Sequence, residues 1–378
     1  MRTPQFATRS VAVIAVPLLL AAAAAVAAPV TAAAATARTG PADPASSVTI
    51  SGSLSGVAAT SARNAWAVGF VGGGTLILHW NGSAWRRVSS PSPAGSTLRG
   101  VAATSARNAW AVGCANCTSG APRTLILHWN GSTWSRVPSP AGQLSGVAVV
   151  SARDAWAVGY AGTSPAGSLI LHWNGSTWSR VPSPGGYLSG VAATSARSAW
   201  AVGEGTSFSS PKTLILRWNG TSWKRAPSPS VGAHFIPFLN GVAATSARSA
   251  WAVGDSTDCG CGPGLSLILR WNGTSWKKVP SPTPGGGTTL FGVAAVSARR
   301  AWAVGLTGEG TSLTKTLILR WNGTTWKKVP APAPRASSGL SGVAATSAGR
   351  AWAVGFTTNR SREGSRTLIL RWNGRAWK

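Results

Sequence analysis

A phrase of about fifty residues recurs seven times along this chain, and no other feature restricts its fold as strongly. Aligning the copies on the dipeptide Ala-Trp sets Trp66, Trp110, Trp156, Trp200, Trp251, Trp302 and Trp352 in register. The spacings are 44, 46, 44, 51, 51 and 50 residues. Each copy reads L-x-G-V-A-A-T-S-A-R-x-A-W-A-V-G, a variable stretch, then T-L-I-L-[HR]-W-N-G-[ST]-x-W-x-[KR]-V-P-S-P. Three of the 21 Trp fall in each copy, so the tryptophan excess belongs to the repeat. A unit of this length cannot bury both of its faces alone and has to stack on its neighbours.

Four short strands fit each unit. In the first copy they are a (Gly56–Thr60), b (Ala65–Gly69), c (Thr75–Trp80) and d, which starts at Trp85 and ends in a Pro-rich exit. The runs are too short for helices and are bounded by Gly, Asn and Pro. Asn81-Gly82 is a strong hairpin signal, because both residue types tolerate positive φ, and it sets Trp80 opposite Trp85. Strand c is apolar on both faces (Leu76 and Leu78 one way, Ile77 the other), as a sheet between two others should be. Periods of 40–50 residues with four strands per unit match propeller blades. The expectation is an all-β, seven-bladed β-propeller with four-stranded antiparallel blades; an open β-solenoid usually has shorter repeats. The last copy stops at Trp377-Lys378, where strand d should run. Val48–Ile50 is therefore expected to complete the seventh blade and close the ring.

The phrases S-A-R-x-A-W-A-V-G and I-L-[HR]-W-N-G-x-x-W resemble those of secreted bacterial β-propeller repeat proteins, largely uncharacterised, over residues 48–378. The G-x-T-W half of an Asp-box survives at Gly131–Trp134, Gly175–Trp178 and Gly323–Trp326. The Asp itself is absent, and so are the W-D ending of WD40 repeats and the Gly-Gly pair of kelch repeats. Tectonin-type lectins, with repeated Trp-rich strands, are a looser likeness. The resemblance implies a fold and gives no ground for borrowing a sialidase-like activity.

The first forty residues differ in kind. Arg2 and Arg9 precede an apolar run from Val11 to about Ala28, and small residues continue to Ala35. This reads as a secretory signal peptide over 1–35, followed by a linker over 36–47. No second apolar run approaches the roughly 20 residues of a membrane span. The expected location is extracellular, as a monomer. The chain carries 35 basic and 7 acidic residues, and loss of Arg2 and Arg9 leaves about +26. A charge of that size favours polyanionic partners and says nothing about fold.

In an up-and-down blade the a–b and c–d turns share one face, and the b–c and d–a loops share the other. The first face repeats almost unchanged and carries Arg63, Arg107, Arg153, Arg197, Arg248, Arg299 and Arg350, the last from a shifted S-A-G-R. Strand c adds His79, His128 and His172, then Arg217, Arg270, Arg320 and Arg371; strand d adds further Arg and Lys. This is either a multivalent polyanion-binding surface or a solvated rim whose arginines hydrogen-bond turn carbonyls. The tryptophans read most simply as inter-blade core, and the Asn-Gly-[Ser/Thr] matches as turns rather than glycosylation sites.

The second face varies, which is where binding and catalysis concentrate on rigid scaffolds. Five of the seven carboxylates, Glu204, Asp255, Asp258, Glu309 and Glu363, fall in its b–c loops, and His234 lies in a d–a loop. Glu204, His234 and Asp255 form the one candidate catalytic corner, since a glycoside hydrolase wants two carboxyls about 5–9.5 Å apart. All four cysteines also lie in b–c loops. Blades two and five are not neighbours, so local bridges Cys114–Cys117 and Cys259–Cys261 are expected in an exported protein. A C-x-C bridge is strained, which leaves free thiols or redox activity at Cys259 and Cys261 open. No phosphate-binding Gly loop, nucleophile elbow or H-E-x-x-H motif is present, so neither cofactor nor metal is expected. The reading is a non-catalytic binding or scaffold propeller for a cell-wall glycan, polysaccharide or other polyanion. A carbohydrate-active enzyme and a protein–protein interaction platform are the alternatives.

Overall fold

The computed structural model describes residues 50–117, 122–162, 167–205, 212–232, 235–258, 264–284, 286–309, 313–332, 334, 336–358 and 364–378. Blade 1 contains strands a (Ser53–Ser61), b (Asn64–Val71), c (Gly74–Trp80) and d (Trp85–Arg87), hydrogen-bonded in that order. Strand a of the later blades spans Thr97–Ser105, Gln143–Ser151, Tyr187–Ser195, Phe235–Ser246, Gly287–Ser297 and Ser337–Ser347. Every pairing within a blade is antiparallel, and no helix occurs among the described residues. The chain is a seven-bladed β-propeller.

The alternation in A-W-A-V explains how blades stack. Trp66 and Val68 leave one face of strand b with Ile77 of strand c, and they share a buried cluster with Ala109, Ala111, Leu125 and Leu127 of blade 2. A large face thus meets a small one, and the same assembly recurs around the ring. Blade 7 closes onto blade 1 through Trp352 and Val354 against Ala65, Ala67, Leu76 and Leu78.

All 21 tryptophans enter seven equivalent triads. Trp66 lies 4.9 Å from Trp129 and 5.1 Å from Trp134 of the next blade, the second contact T-shaped; Trp352 meets Trp80 and Trp85 in the same way. Edge-to-face aromatic pairs add about 0.5–1.5 kcal/mol beyond area burial. In blades 1–6 the strand c indole also donates from Nε1 to the alanine carbonyl of the S-A-R turn, as Trp80 does to Ala62 at 3.0 Å, whereas Trp372 of blade 7 makes no such bond. That bond ties the outer hairpin to the inner turn.

Two glycine requirements set the geometry near the axis. A Cβ on Gly69 would stand 1.9 Å from the Ser53 carbonyl oxygen, where strand a bulges between Leu54 and Gly56. Seven strand-a glycines then form a ring: a Cβ on Gly146 would meet Gly190 Cα at 3.3 Å, and one on Gly342 would meet Gly56 Cα at 3.2 Å. The Asn-Gly turn works differently from the expectation. Gly82 has φ of 103°, but Asn81 does not adopt positive φ. Its Oδ1 instead accepts from the Ser83 and Ala84 amides at 3.0 Å each, closing a four-residue loop. This accounts for the Asn without glycosylation.

Ring closure is shared. Trp377 pairs with Trp372, and Lys378 exchanges backbone bonds with Arg371, filling the start of the fourth-strand position. Further along the same strand, Ser51 bridges Arg366, and the Thr367 amide donates to the Ile50 carbonyl at 2.9 Å. In blade 1 the matching positions beside Thr75 are held by Ser90 and Ser92 of the Pro-rich exit. The N-terminal segment therefore replaces the exit, while the chain's own end supplies strand d. Val48 and Thr49 lie outside the described residues.

Candidate functional site

The a–b and c–d turns do meet on one face. Arg63 lies over the Asn-Gly turn of its own blade, so that a Cβ on Gly82 would sit 3.1 Å from Arg63 Cγ, and Arg107, Arg153, Arg197, Arg248 and Arg299 repeat the placement. All six are exposed, and among the described residues none of their guanidinium groups has a hydrogen-bond or ion-pair partner. On the same face Arg270 Nη2 donates to the Ala298 turn carbonyl at 3.4 Å, as the solvated-rim alternative has it, whereas the six turn arginines make no such bond among the described residues. Arg350 departs from the ring. Gly349 takes the turn position, stacked on Gly374, and Arg350 pairs with Ser347 in the register that Asn64 holds opposite Ser61.

The residue at that register is coupled to the strand c residue beside it. In blades 1 and 2, His79 Nε2 donates to Asn64 Oδ1 and His128 Nε2 to Asn108 Oδ1, both at 2.8 Å. The Asn amides then donate to Thr60 and Thr104 at 2.7 Å. Blade 3 has Asp154, 2.9 Å from His172, with Val150 at the threonine position, and Asp154 Oδ2 is buried without a hydrogen-bond partner among the described residues. Burial lowers the pKa of His79 and His128. In blades 4–7 arginine replaces histidine. Arg320 lies 5.2 Å over Trp302 and 5.5 Å from the Trp372 ring of the next blade, and Arg217, Arg270 and Arg371 do likewise.

Two open clefts mark this face. One, about 650 Å³, lies between the outer edge of blade 4 (Arg217, Lys224, Arg225) and the Trp271–Trp276 hairpin of blade 5. The other, about 660 Å³, lies on blade 6 and is lined by Arg299, Arg300, Arg320, Lys327 and Lys328 with Trp321, Asn322 and Val329. A third space, about 170 Å³, is the axial channel inside the Gly-Val ring of strand a, which presents no charged group.

The opposite face holds the acids, but in strands rather than loops. Glu204 ends strand b of blade 4, and Asp255 occupies the same register in blade 5, opposite Phe238. His234, Asp258's side chain, Glu363, Cys259 and Cys261 lie outside what is described. Among the described residues Asp255 is grouped with Glu309, a carboxylate outside the Glu204, His234 and Asp255 corner. Asn240 Nδ2 donates to Asp255 Oδ1 at 3.2 Å and to the Leu290 carbonyl at 2.9 Å, and Thr289 donates to Glu309 Oε2 at 2.9 Å. Burial, with Glu309 nearby, pushes Asp255 up to about 7 against the opposing Asn240 bond. Burial also raises Glu204. Beside them Tyr160 donates to Gln143 at 2.9 Å and packs edge-on against Tyr187. Cys114 and Cys117 form a disulfide on the same side. No group of three or more His, Cys, Asp or Glu able to hold a metal occurs among the described residues, and no helix there is long and apolar enough to cross a membrane.

No family model and no curated protein matches the sequence. Solved structures are similar in fold. YCF48 bound to D1 peptide aligns over 86% of this chain and 95% of its own, with a TM-score of 0.56 and 15% identity. A GH74 xyloglucanase from Xanthomonas campestris aligns over 86% of this chain and 54% of its own, with a TM-score of 0.57 and 14% identity. A polysaccharide lyase, PL25 ulvan lyase bound to -[GlcA(1-4)Rha3S]-, aligns over 83% and 91%, with a TM-score of 0.55 and 9% identity. At these identities the likeness defines a class, that of β-propellers, which includes glycan-acting enzymes and a peptide-binding protein.

Proposed function

We propose that this protein is a secreted, monomeric propeller that binds anionic glycan through its turn face, without catalysing a reaction there. Residues 1–35 act as the export signal in this reading. The carrying observation is the ring of exposed turn arginines, none of them neutralised among the described residues. The described acids other than Asp154 stand on the far face, so the turn face keeps its cations and presents repeated weak sites to one extended ligand. The similarity in fold to a lyase solved with -[GlcA(1-4)Rha3S]- supports a saccharide ligand. Retention of the full chain on purified cell wall and on dextran sulfate tests this: binding at low salt that is eluted by about 0.5 M NaCl is expected, since screening removes exposed attraction. Absence of binding, or binding indifferent to salt, overturns it.

A second reading has one observation in its favour. Asp255, poised near neutrality beside Glu309, is the kind of carboxyl pair that general acid–base chemistry uses. A polysaccharide hydrolysis and elimination screen, with Asp255→Asn and Glu309→Gln as controls, separates it from the binding reading.

A further inference from the structure

The repeat provides its own control for what the scaffold needs. At the position after the turn arginine, blades 1–5 use Asn, Asn, Asp, Ser and Ser, whereas blade 6 has Arg300. At the strand c position blades 1–3 use His where blade 6 has Arg320, and at the first variable position of strand d blades 2 and 3 use Ser where blade 6 has Lys327. The fold closes equally well around the neutral residues, with the same triads and the same register. The extra cations of blade 6 are therefore not required by folding. Gathering five unpaired cations in one cleft instead costs self-repulsion, a violation of local economy of the kind that marks functional sites.

From this we infer that the blade 6 cleft is the principal seat for a polysaccharide bearing tetrahedral oxyanions, phosphate or sulfate esters, with the blade 4 and 5 rims extending the track. The inference rests on the anionic-glycan reading above and gives it a location and a ligand chemistry. Arg299 and Arg300 reach the cleft from the a–b turn, Arg320 from strand c, and Lys327 and Lys328 from strand d. None of the five side-chain cations has a hydrogen-bond or ion-pair partner among the described residues, and Arg320 is held by its two indole contacts. A tetrahedral oxyanion offers oxygens in several directions and can engage donors from three strands together. A planar carboxylate occupies one guanidinium fork. The cleft volume of about 660 Å³ suits a short run of sugar units. Nucleic acid is the poorer fit, because single strands bind through exposed aromatic faces and Trp321 and Trp326 are each only 3% exposed.

The test measures affinity of the full chain for dextran sulfate, for poly(glycerol phosphate), for polygalacturonate and for poly(dT) at fixed ionic strength. The variant Arg300→Asn/Arg320→His/Lys327→Ser carries the set that blade 2 uses at these positions, Asn108, His128 and Ser135, so its fold has precedent within the chain. It should lose at least about tenfold in affinity for the sulfate or phosphate polymer, whichever the wild type prefers, given that each charge-assisted contact is worth more than a neutral one. The control Arg63→Gly/Arg86→Ser/Arg107→Gly, which removes the same charge from blades 1 and 2, should lose less than about threefold on the same arithmetic. Should the blade 6 variant fail to fold by its melting curve, the graft Asn108→Arg/His128→Arg/Ser135→Lys in blade 2 decides, and a gain in affinity is expected. Equal losses in both variants, or no gain from the graft, overturn the inference and leave diffuse anionic binding standing. Equal or tighter binding of polygalacturonate overturns the oxyanion chemistry, and tighter binding of poly(dT) overturns the glycan. If the wild type binds none of the four, the broader reading falls with it.

Discussion

Trp66 is fully buried against the Ala109–Ala111 face of the next blade, so Trp66→Ala opens a cavity that neighbouring strands cannot fill by collapsing. A loss of about 3–5 kcal/mol is expected, read as a lower denaturant midpoint. Trp80→Phe keeps an aromatic ring in the triad but loses the pyrrole half of the indole and the bond to Ala62, so it should cost less, about 2 kcal/mol. Similar losses from the two would mean that the triads are not the source of stability. Asp255 gives a prediction with a sign. Its folded pKa, about 7, lies above its unfolded value near 3.8, so the neutral form is the one the fold prefers. Whatever that preference contributes is complete below the unfolded pKa and is lost as pH rises through about 7. Asp255→Asn, which cannot ionise, should therefore melt higher than wild type at pH 8 by several degrees and lose that advantage at pH 5. A difference independent of pH would show that Asp255 is not ionising in its buried site. His79 and His128 act in the reverse sense: their lowered pKa values favour the neutral ring, so their contribution is present above the ordinary histidine pKa and lost on acidification below it.

At the level of strands, the N-terminal segment does the work of a Pro-rich exit. Its hold on strand c of blade 7 consists of the Ile50–Thr367 and Gly52–Ser365 backbone bonds, the Ser51–Arg366 bridge and the packing of Ile50 on the blade 1 cluster. Deleting residues 44–52 should lower the melting temperature by several degrees while leaving the tryptophan triads formed; an unchanged melting curve would remove this segment from the closure. The strands were legible because A-W-A-V and T-L-I-L alternate large, small and branched residues at a period of two, and because seven copies agree. Closure was legible only in part. The sequence placed an N-terminal strand in blade 7 but did not divide the fourth-strand position between Ile50–Ser51 and Trp377–Lys378. The sites were less legible still. The pairing of His79 with Asn64 spans 15 residues and needs the b–c register to appear, although the joint change to Val150 and Asp154 in blade 3 leaves a trace. The approach of Asp255 to Glu309 had no trace, since the two lie in different blades at unlike registers.

Across the whole molecule, the excess of cations makes salt act in two opposite ways. The turn face carries six exposed arginines, with more Lys and Arg on the outer strands, and among the described residues no Lys or Arg is paired with a carboxylate. Like charges held at fixed spacing on a folded surface repel more than the same charges on an expanded chain. Raising NaCl from about 0.02 to about 0.5 M shortens the Debye length from roughly 20 to roughly 4 Å, so the melting temperature of the free protein should rise. Dextran sulfate at low salt should also raise it, because a ligand that binds only the folded state stabilises by about 2.7 kcal/mol at a hundred times its Kd. That increment must vanish at the higher salt, where the attraction is screened. The two stabilisations are therefore alternatives and should not add. A melting temperature that falls with salt would mean the cations are neutralised within the fold, and a dextran sulfate increment that survives about 0.5 M NaCl would mean binding does not run through them.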